Sequence, residues 1–304
     1  HVQSSHLENN KINWLQIIQK RGRPVPSILA PITYCYDNND RVSPLLDNNG
    51  ADCEGTGHAT IVAHNCHFGK SLRGQSRDCG NEMQDIEIPT RNLMKAKMNA
   101  GGLAVGMIVR LMRGVEIAAI AKSAGFDCLY IDLEHCSFSL ETVSQISMTA
   151  TALGVTPLVR VPGLDKAFIS RTLEAGAQGI IVPHLETRAQ AEDVVDAAKF
   201  PPLGSRSLLG INPHTLFRGG PAPEIMQKMN DATLVVGMIE SVNAVQNADD
   251  IAAVEGLDML LIGTNDLCNS LGVPGQLDHA SVREAYRHVA AACLAKGKHL
   301  GVGG

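Results

Sequence analysis

The chain has 304 residues, 44% of them hydrophobic and 19% charged, with a formal net charge of -5 at pH 7. This length allows one large α/β domain with an appended segment, and the charge lacks the basic excess that nucleic-acid binding usually needs. No apolar run approaches the roughly 20 residues of a membrane span and the first residues carry no signal-peptide core, which excludes a membrane partner and predicts a cytoplasmic location.

Residues 1–87 differ in composition from the rest of the chain. They are rich in Asn, Gly, Ser and His and show little helical or strand periodicity. The eight cysteines of the chain have spacings that resemble no disulfide framework. We therefore predict an irregular, disordered N-terminal extension over 1–87.

From Asn92 onward, short β-branched runs alternate with amphipathic stretches of ten to sixteen residues. This alternation is typical of repeated βα units, and apolar residues at both parities predict strands that are buried on both faces of a parallel sheet. Helix start signals fit the same frame, with Ser139 and Thr187 as N-caps. The seven predicted strands are 103–109, 128–133, 156–161, 179–183, 234–239, 259–263 and 299–302.

The predicted fold class is therefore α/β, with a (β/α)8 TIM-type barrel over 88–304. Seven strands do not close an eight-stranded barrel, so we expect a barrel truncated after the seventh strand. Between residues 201 and 231 one connection is much longer than usual, which is typical either of a lid over a site or of a surface loop.

Charged residues end four of the apolar runs. The second run ends with Asp132 and is followed by His135, the third contains Arg160, the fifth leads into Glu240 and the sixth leads to Asp266. Active sites of parallel barrels lie at the carboxyl ends of the strands, so we expect these side chains to converge.

Glu240 and Asp266 are the predicted metal ligands. A lone acidic residue after a strand is usually a helix cap or a loop charge, but two at neighbouring strand mouths suit Mg²⁺ or Mn²⁺, and oxygen ligands also accept Co²⁺. Two protein ligands leave coordination positions for water and for a chelating 2-keto acid.

Arg160 and His135 are the predicted catalytic residues. A buried Arg160 needs an anionic partner, which is either Asp132 or the oxygen of a substrate that becomes an enolate. His135 could transfer protons with Asp132 as its partner, or it is a capping or loop histidine. The small-residue turn of Gly263, Thr264 and Asn265 could hold a carboxylate or a phosphate through its backbone N–H groups.

Six stretches, in this order and spacing, carry a resemblance to the HpcH/HpaI aldolase family of the pyruvate kinase-like barrel group. The resemblance covers about 92–304. The stretches are AGFDCLYIDLEH, PLVRVPG, LEAGAQGIIVPHLET, FPPLGSRS, VVGMIESVNAVQNADDIAAVEGLDMLLIGTNDL and LGVPG.

The resemblance implies a class II, metal-dependent aldolase, a carbon–carbon lyase that cleaves a 4-hydroxy-2-keto acid to pyruvate and an aldehyde through a metal-bound enolate. It implies that Glu240 and Asp266 bind the metal, that His135 and Asp132 form the acid/base pair, and that Arg160 holds the enolate oxygen. It also implies that the turn 263–265 binds the carboxylate and that the protein is a homo-oligomer.

Two alternatives remain open at this point. An oxaloacetate decarboxylase resembling macrophomate synthase would use the same enolate. A barrel without its last strand could also be a catalytically inactive fragment, since the loss is large beside a typical net stability of roughly 5–15 kcal/mol.

Overall fold

The computed structural model describes residues 91–303. The predicted N-terminal extension over 1–87 lies outside the described residues. All seven predicted strands are present, although the first begins three residues later than predicted. They are β1 (Gly106–Val109), β2 (Cys128–Asp132), β3 (Thr156–Arg160), β4 (Gly179–Val182), β5 (Leu234–Ile239), β6 (Met259–Gly263) and β7 (His299–Gly303).

One helix precedes β1, and the others follow the strands along the chain. They are α1 (Leu93–Asn99), α2 (Glu116–Ser123), α3 (Leu140–Ala152), α4 (Lys166–Glu174), α5 (Arg188–Ala198), α6 (Ala222–Ala232), α7 (Val242–Gln246), α8 (Ala248–Ala252), α9 (Thr264–Ser270) and α10 (Ala280–Ala295). The predicted caps are confirmed: Ser139 caps α3, and Thr187 forms a capping box with Gln190 at α5. Helices α7 and α8 are short and meet at Asn247.

The sheet is parallel throughout, and its strands lie in chain order from β1 to β7. This confirms the α/β barrel class, with seven consecutive parallel strands of a (β/α) barrel. Among the described residues β1 and β7 are the two edges of the sheet. Every residue of β3, β4 and β5 is buried, as expected for central strands covered on both faces.

Side-chain alternation separates an interior cluster from the layers that pack under the helices. The interior cluster includes Leu158, Ile181, Val236 and Leu261, and Met94 of α1 packs against it. Residues of the opposite parity pack against the helices instead. The amino end of the barrel is thereby covered by α1, and the carboxyl ends of the strands are left for a site.

Helix α1 is tied to the barrel by polar contacts. The Asn92 side chain donates to the carbonyls of Gln178 and Ala232 at 3.2 and 2.9 Å, and Lys95 forms an ion pair of 2.8 Å with Asp258. Among residues 91–303, no helix is long and apolar enough to cross a bilayer.

Candidate functional site

Three of the predicted site residues lie inside the carboxyl end of the barrel. Each lies two positions after an apolar or aromatic residue of its strand: Asp132 after Tyr130, Arg160 after Leu158 and Glu240 after Met238. Because side chains alternate along a strand, each of the three faces the same interior as the residue two positions before it. All three are buried, with relative exposures of 5% or less.

Asp132 and Arg160 form a two-point ion pair between adjacent strands. Arg160 Nε donates to Asp132 Oδ1 at 3.0 Å, and Nη2 donates to Oδ2 at 2.5 Å. The backbone N–H groups of Glu134 and His135 also donate to Oδ1, at 3.1 and 3.2 Å. Burial raises the pKa of Asp132, but the hydrogen bonds from Arg160 and from the two N–H groups outweigh burial and hold it below its ordinary value.

The third nitrogen of Arg160 contacts a second carboxylate. Nη1 lies 2.8 Å from Glu134 Oε2, and the guanidinium carbon lies 5.5 Å from the centre of the Tyr130 ring. A guanidinium has five N–H donors, so these three contacts leave two donors for another acceptor. The ion pair with Asp132 and a bond to substrate are therefore compatible.

His184 joins two carboxylates that come from different strands. Its backbone N–H and its Nδ1 lie 2.7 and 2.8 Å from Glu240 Oε1, and its Nε2 lies 3.0 Å from Glu134 Oε1. His184 has a φ of 55°, in the left-handed region that is uncommon for residues other than glycine. Backbone strain of this kind clusters at functional sites.

Glu240 sits in an environment that disfavours its negative charge. Burial raises its pKa, the contacts from His184 lower it, and the nearby charges of Glu134 and Asp266 raise it further, with a net upward shift. Gly263 makes room for this carboxylate, because a Cβ at that position would lie 2.9 Å from Glu240 Oε2. The glycine therefore belongs to the site through its lack of a side chain.

The His135 ring points away from its predicted partner. Asp132 accepts only the backbone N–H of His135, and the ring Nε2 lies 3.8 Å from Glu134 Oε2. The His135 side chain is 54% exposed, so the ring is open to a ligand at the mouth of the barrel. Within the described residues, the nearest acidic group recorded for the ring is Glu134, while Asp132 orients the turn that carries the histidine.

The turn of Gly263, Thr264 and Asn265 begins α9. The Thr264 hydroxyl lies 2.5 Å from the Tyr286 hydroxyl and donates to the Gly303 carbonyl at 2.9 Å, so it is already used within the fold. Asn265 and Asp266 are both exposed in the first turn of α9. The turn can therefore offer a ligand its backbone N–H groups and the Asn265 amide.

Sequence reasoning assigned no role to three residues of this cluster: Arg110, Glu134 and His184. Arg110 follows β1 directly, and His184 comes two residues after the end of β4. The signal that found the other residues, a charged group just after a strand, was present at both positions. Glu134 stood within a stretch already singled out, between Asp132 and His135.

The chemistry of this cluster fits a hard divalent cation. Glu240 Oε2 accepts no hydrogen bond from the described residues. In residues 91–303 no group of three or more His, Cys, Asp or Glu has metal-binding geometry, while Asp266 is near enough to Glu240 for its charge to raise the pKa of Glu240. Two carboxylates with open positions for water and substrate suit Mg²⁺ or Mn²⁺.

Comparisons with known proteins point to one family. The family model described as HpcH/HpaI aldolase/citrate lyase matches residues 112–301. The chain is 40% identical to the 4-hydroxy-4-methyl-2-oxoglutarate aldolase tasA of Hapsidospora irregularis, over 70% of this chain and 80% of that protein. It is 33% identical to the 4-hydroxy-2-oxovalerate aldolase of Novosphingobium aromaticivorans, over 69% and 79%.

A solved structure supports the same relationship. The crystal structure of an HpcH/HpaI aldolase from Desulfitobacterium hafniense DCB-2 superposes with a TM-score of 0.67 at 34% identity. The match covers 69% of this chain and 80% of that one.

Proposed function

The chain belongs to the HpcH/HpaI aldolase/citrate lyase family, and we propose that it is a divalent-metal-dependent aldolase that cleaves a 4-hydroxy-2-keto acid to pyruvate and an aldehyde. Two relatives named as aldolases of 4-hydroxy-2-keto acids, at 40% and 33% identity, support the reaction class. The observation that carries the proposal is the buried group of Asp132, Arg160 and Glu240 at the carboxyl end of one barrel.

Glu240 and Asp266 are the residues that would hold the cation. Glu240 would bind the cation through Oε2, because its Oε1 already contacts His184. The negative charge of Asp266 acts on the same Glu240 carboxylate. A bound Mg²⁺ or Mn²⁺ would supply Lewis-acid polarisation of the 2-keto group and an anchor for the substrate carboxylate. Backbone N–H groups of the turn 263–265 and the Asn265 amide are the protein donors for that carboxylate.

Arg160 stabilises the negative charge that develops on the 2-keto oxygen when the C3–C4 bond breaks. Its two remaining N–H donors are held in a fixed direction by Asp132 and Glu134, so little reorganisation is needed as the charge forms. Burial strengthens this interaction relative to one in water.

His135 is the residue best placed to move protons. In the cleavage direction it would accept the proton of the C4 hydroxyl as the C3–C4 electron pair moves towards C2, and a proton is then added at C3 to give pyruvate. The exposed ring at the barrel mouth can reach a substrate that the buried residues hold.

The test is product formation from 4-hydroxy-2-oxovalerate by the full chain with Mg²⁺ or Mn²⁺. We expect pyruvate and acetaldehyde in equal amounts. Glu240→Gln and Asp266→Asn should each lose nearly all turnover and should also weaken Mn²⁺ binding measured by electron paramagnetic resonance. The loss of binding reports directly on the ligand role, independently of activity.

Glu192→Gln is a matched control, because Glu192 is an exposed carboxylate on α5 whose one ion-pair partner among residues 91–303 is Arg188. It should keep both turnover and Mn²⁺ binding. Full turnover by Glu240→Gln, or Mn²⁺ binding equal to that of the unaltered chain, would refute the metal-site assignment.

A further inference from the structure

Arg110 is a second guanidinium at the carboxyl end of the barrel. It follows β1 directly and has the same parity as Gly106 and Ile108. A Cβ at Gly106 would lie 2.8 Å from Sγ of Cys128, which belongs to the interior cluster, so residues of this parity face the barrel interior. Arg110 Nε donates to Asp132 Oδ2 at 3.1 Å. Asp132 therefore lies between Arg110 and Arg160, which places Arg110 at the rim of the same site.

The terminal nitrogens of Arg110 remain available. Its side chain is 54% exposed, and its Nη1 and Nη2 have no partner among residues 91–303. Asp132 does not need Arg110 for its charge, because Arg160 pairs with both of its oxygens. The two terminal nitrogens of Arg110 thus carry four N–H donors in a planar fork beside Asp132.

Arg113 on the same connection shows the contrast. Its Nη1 and Nη2 donate to the carbonyl and hydroxyl of Ser137 at 3.0 and 3.1 Å, and its guanidinium carbon lies 5.2 Å from the centre of the Phe138 ring. Both terminal nitrogens of Arg113 are occupied within the protein. Arg110 therefore differs from Arg113 in that its terminal nitrogens have no partner among residues 91–303 and lie beside the buried Asp132–Arg160 ion pair.

We propose that Arg110 is the specificity-determining residue that binds a substrate carboxylate on C4, as in a 4-hydroxy-2-keto dicarboxylic acid; this inference rests on the proposed aldolase function. A guanidinium fork matches a carboxylate at two points, and such charge-assisted pairs are strong and directional. Arg160 and the turn 263–265 would hold the keto acid end, and Arg110 would hold the carboxylate attached to C4.

The reaction is balanced without any further reactant. The C4 hydroxyl loses its proton, the C3–C4 bond breaks with its electron pair moving to C2, and C3 gains a proton. One product is pyruvate, and the other is a carbonyl compound that keeps the second carboxylate. From 4-hydroxy-2-oxoglutarate this second product is glyoxylate.

Two substrates isolate the contribution of Arg110. 4-Hydroxy-2-oxoglutarate and 4-hydroxy-2-oxovalerate differ only in carrying a carboxylate or a methyl group on C4. We expect the unaltered chain to have a higher kcat/KM for the diacid. Arg110→Gln should lower the diacid-to-monoacid ratio of kcat/KM by about 10- to 100-fold, as expected for loss of a charged hydrogen-bonded contact.

Two further variants define the outcome. Arg110→Lys keeps the charge without the fork and should retain part of the preference, and it replaces Arg110→Gln if that variant unfolds. Arg287→Gln removes an exposed arginine of α10 that pairs with Glu284, and it should leave the ratio unchanged.

The result distinguishes the two proposals. A chain that cleaves both acids with a ratio that Arg110→Gln does not change would overturn the role of Arg110 and leave the aldolase function intact. A chain that cleaves neither acid with any divalent metal would contradict the aldolase function and, with it, the role of Arg110.

Discussion

At the scale of single residues, the site is a set of charged side chains that hold each other in place. Arg160 bonds to Asp132 and Glu134, and His184 bonds to Glu134 and Glu240. Removing one member of a buried ion pair typically costs about 3–5 kcal/mol, because the other charge is left without a partner. The same contacts fix the direction of the Arg160 donors.

Period-two alternation explains why some of these residues were predictable from sequence. Asp132, Arg160 and Glu240 continue the interior parity of their strands, so a charged residue there has to face the barrel. His184 lies beyond the end of β4 with a positive φ, and strand parity does not predict its direction. Its contacts with Glu134 and Glu240 depend on a backbone conformation that no sequence pattern specified.

Substitution of His184 tests the backbone conformation separately from the side chain. His184→Ala and His184→Gly both remove the imidazole and keep the backbone N–H that binds Glu240. Because glycine adopts a φ of 55° without steric cost, we expect His184→Gly to be more stable than His184→Ala by about 0.5–1 kcal/mol. Urea denaturation measures the difference, and an alanine variant at least as stable as the glycine variant would rule out strain at this position.

At the scale of elements, the long connection after α5 has secondary structure of its own and contacts a neighbouring helix. It contains a 3-10 turn, Pro213–Thr215, and then α6, so the segment predicted as one connection over 201–231 ends in a helix. Arg206 forms an ion pair of 2.8 Å with Glu174, and the buried His214 donates from Nε2 to the Leu173 carbonyl at 2.8 Å. These contacts tie the connection to α4, and its length alone could not predict them.

The buried His214 gives this element a pH dependence. Burial lowers the pKa of His214 to about 4, the Leu173 carbonyl opposes this, and the nearby Arg206 charge adds to it. Between the unfolded pKa of about 6.5 and the folded value, the unfolded chain binds the extra proton. The contribution of His214 to the free energy of unfolding is therefore fully present above the pKa of the unfolded chain. Below that pKa it falls with decreasing pH, by about 1.4 kcal/mol per pH unit.

His214→Gln removes this titration while keeping an N–H donor for Leu173. We expect the difference in unfolding free energy between this variant and the unaltered chain to shift in favour of the variant as the pH falls from 7 to 5. Urea midpoints at several pH values measure the shift. A difference that stays constant over this range would show that His214 does not titrate on unfolding.

At the scale of the whole molecule, the two ends of the barrel differ in what they carry. The amino end is covered by α1, through Met94 and the polar contacts of Asn92 and Lys95, while the carboxyl end gathers Asp132, Arg160 and Glu240. The repeated βα pattern predicted this architecture because parallel strands bring all their carboxyl ends to one side. Individual contacts, such as the His135 ring beside Glu134, depend on turn geometry that the pattern does not specify.

The most direct test of the central claim is pyruvate release from a 4-hydroxy-2-keto acid by chain that has been stripped with chelator and then resupplied with Mg²⁺ or Mn²⁺. We predict that the stripped chain is inactive, that either metal restores turnover, and that neither restores it in Glu240→Gln. Turnover that persists after stripping, or a resupplied chain that releases no pyruvate, would contradict a metal-dependent aldolase built on Glu240 and Asp266.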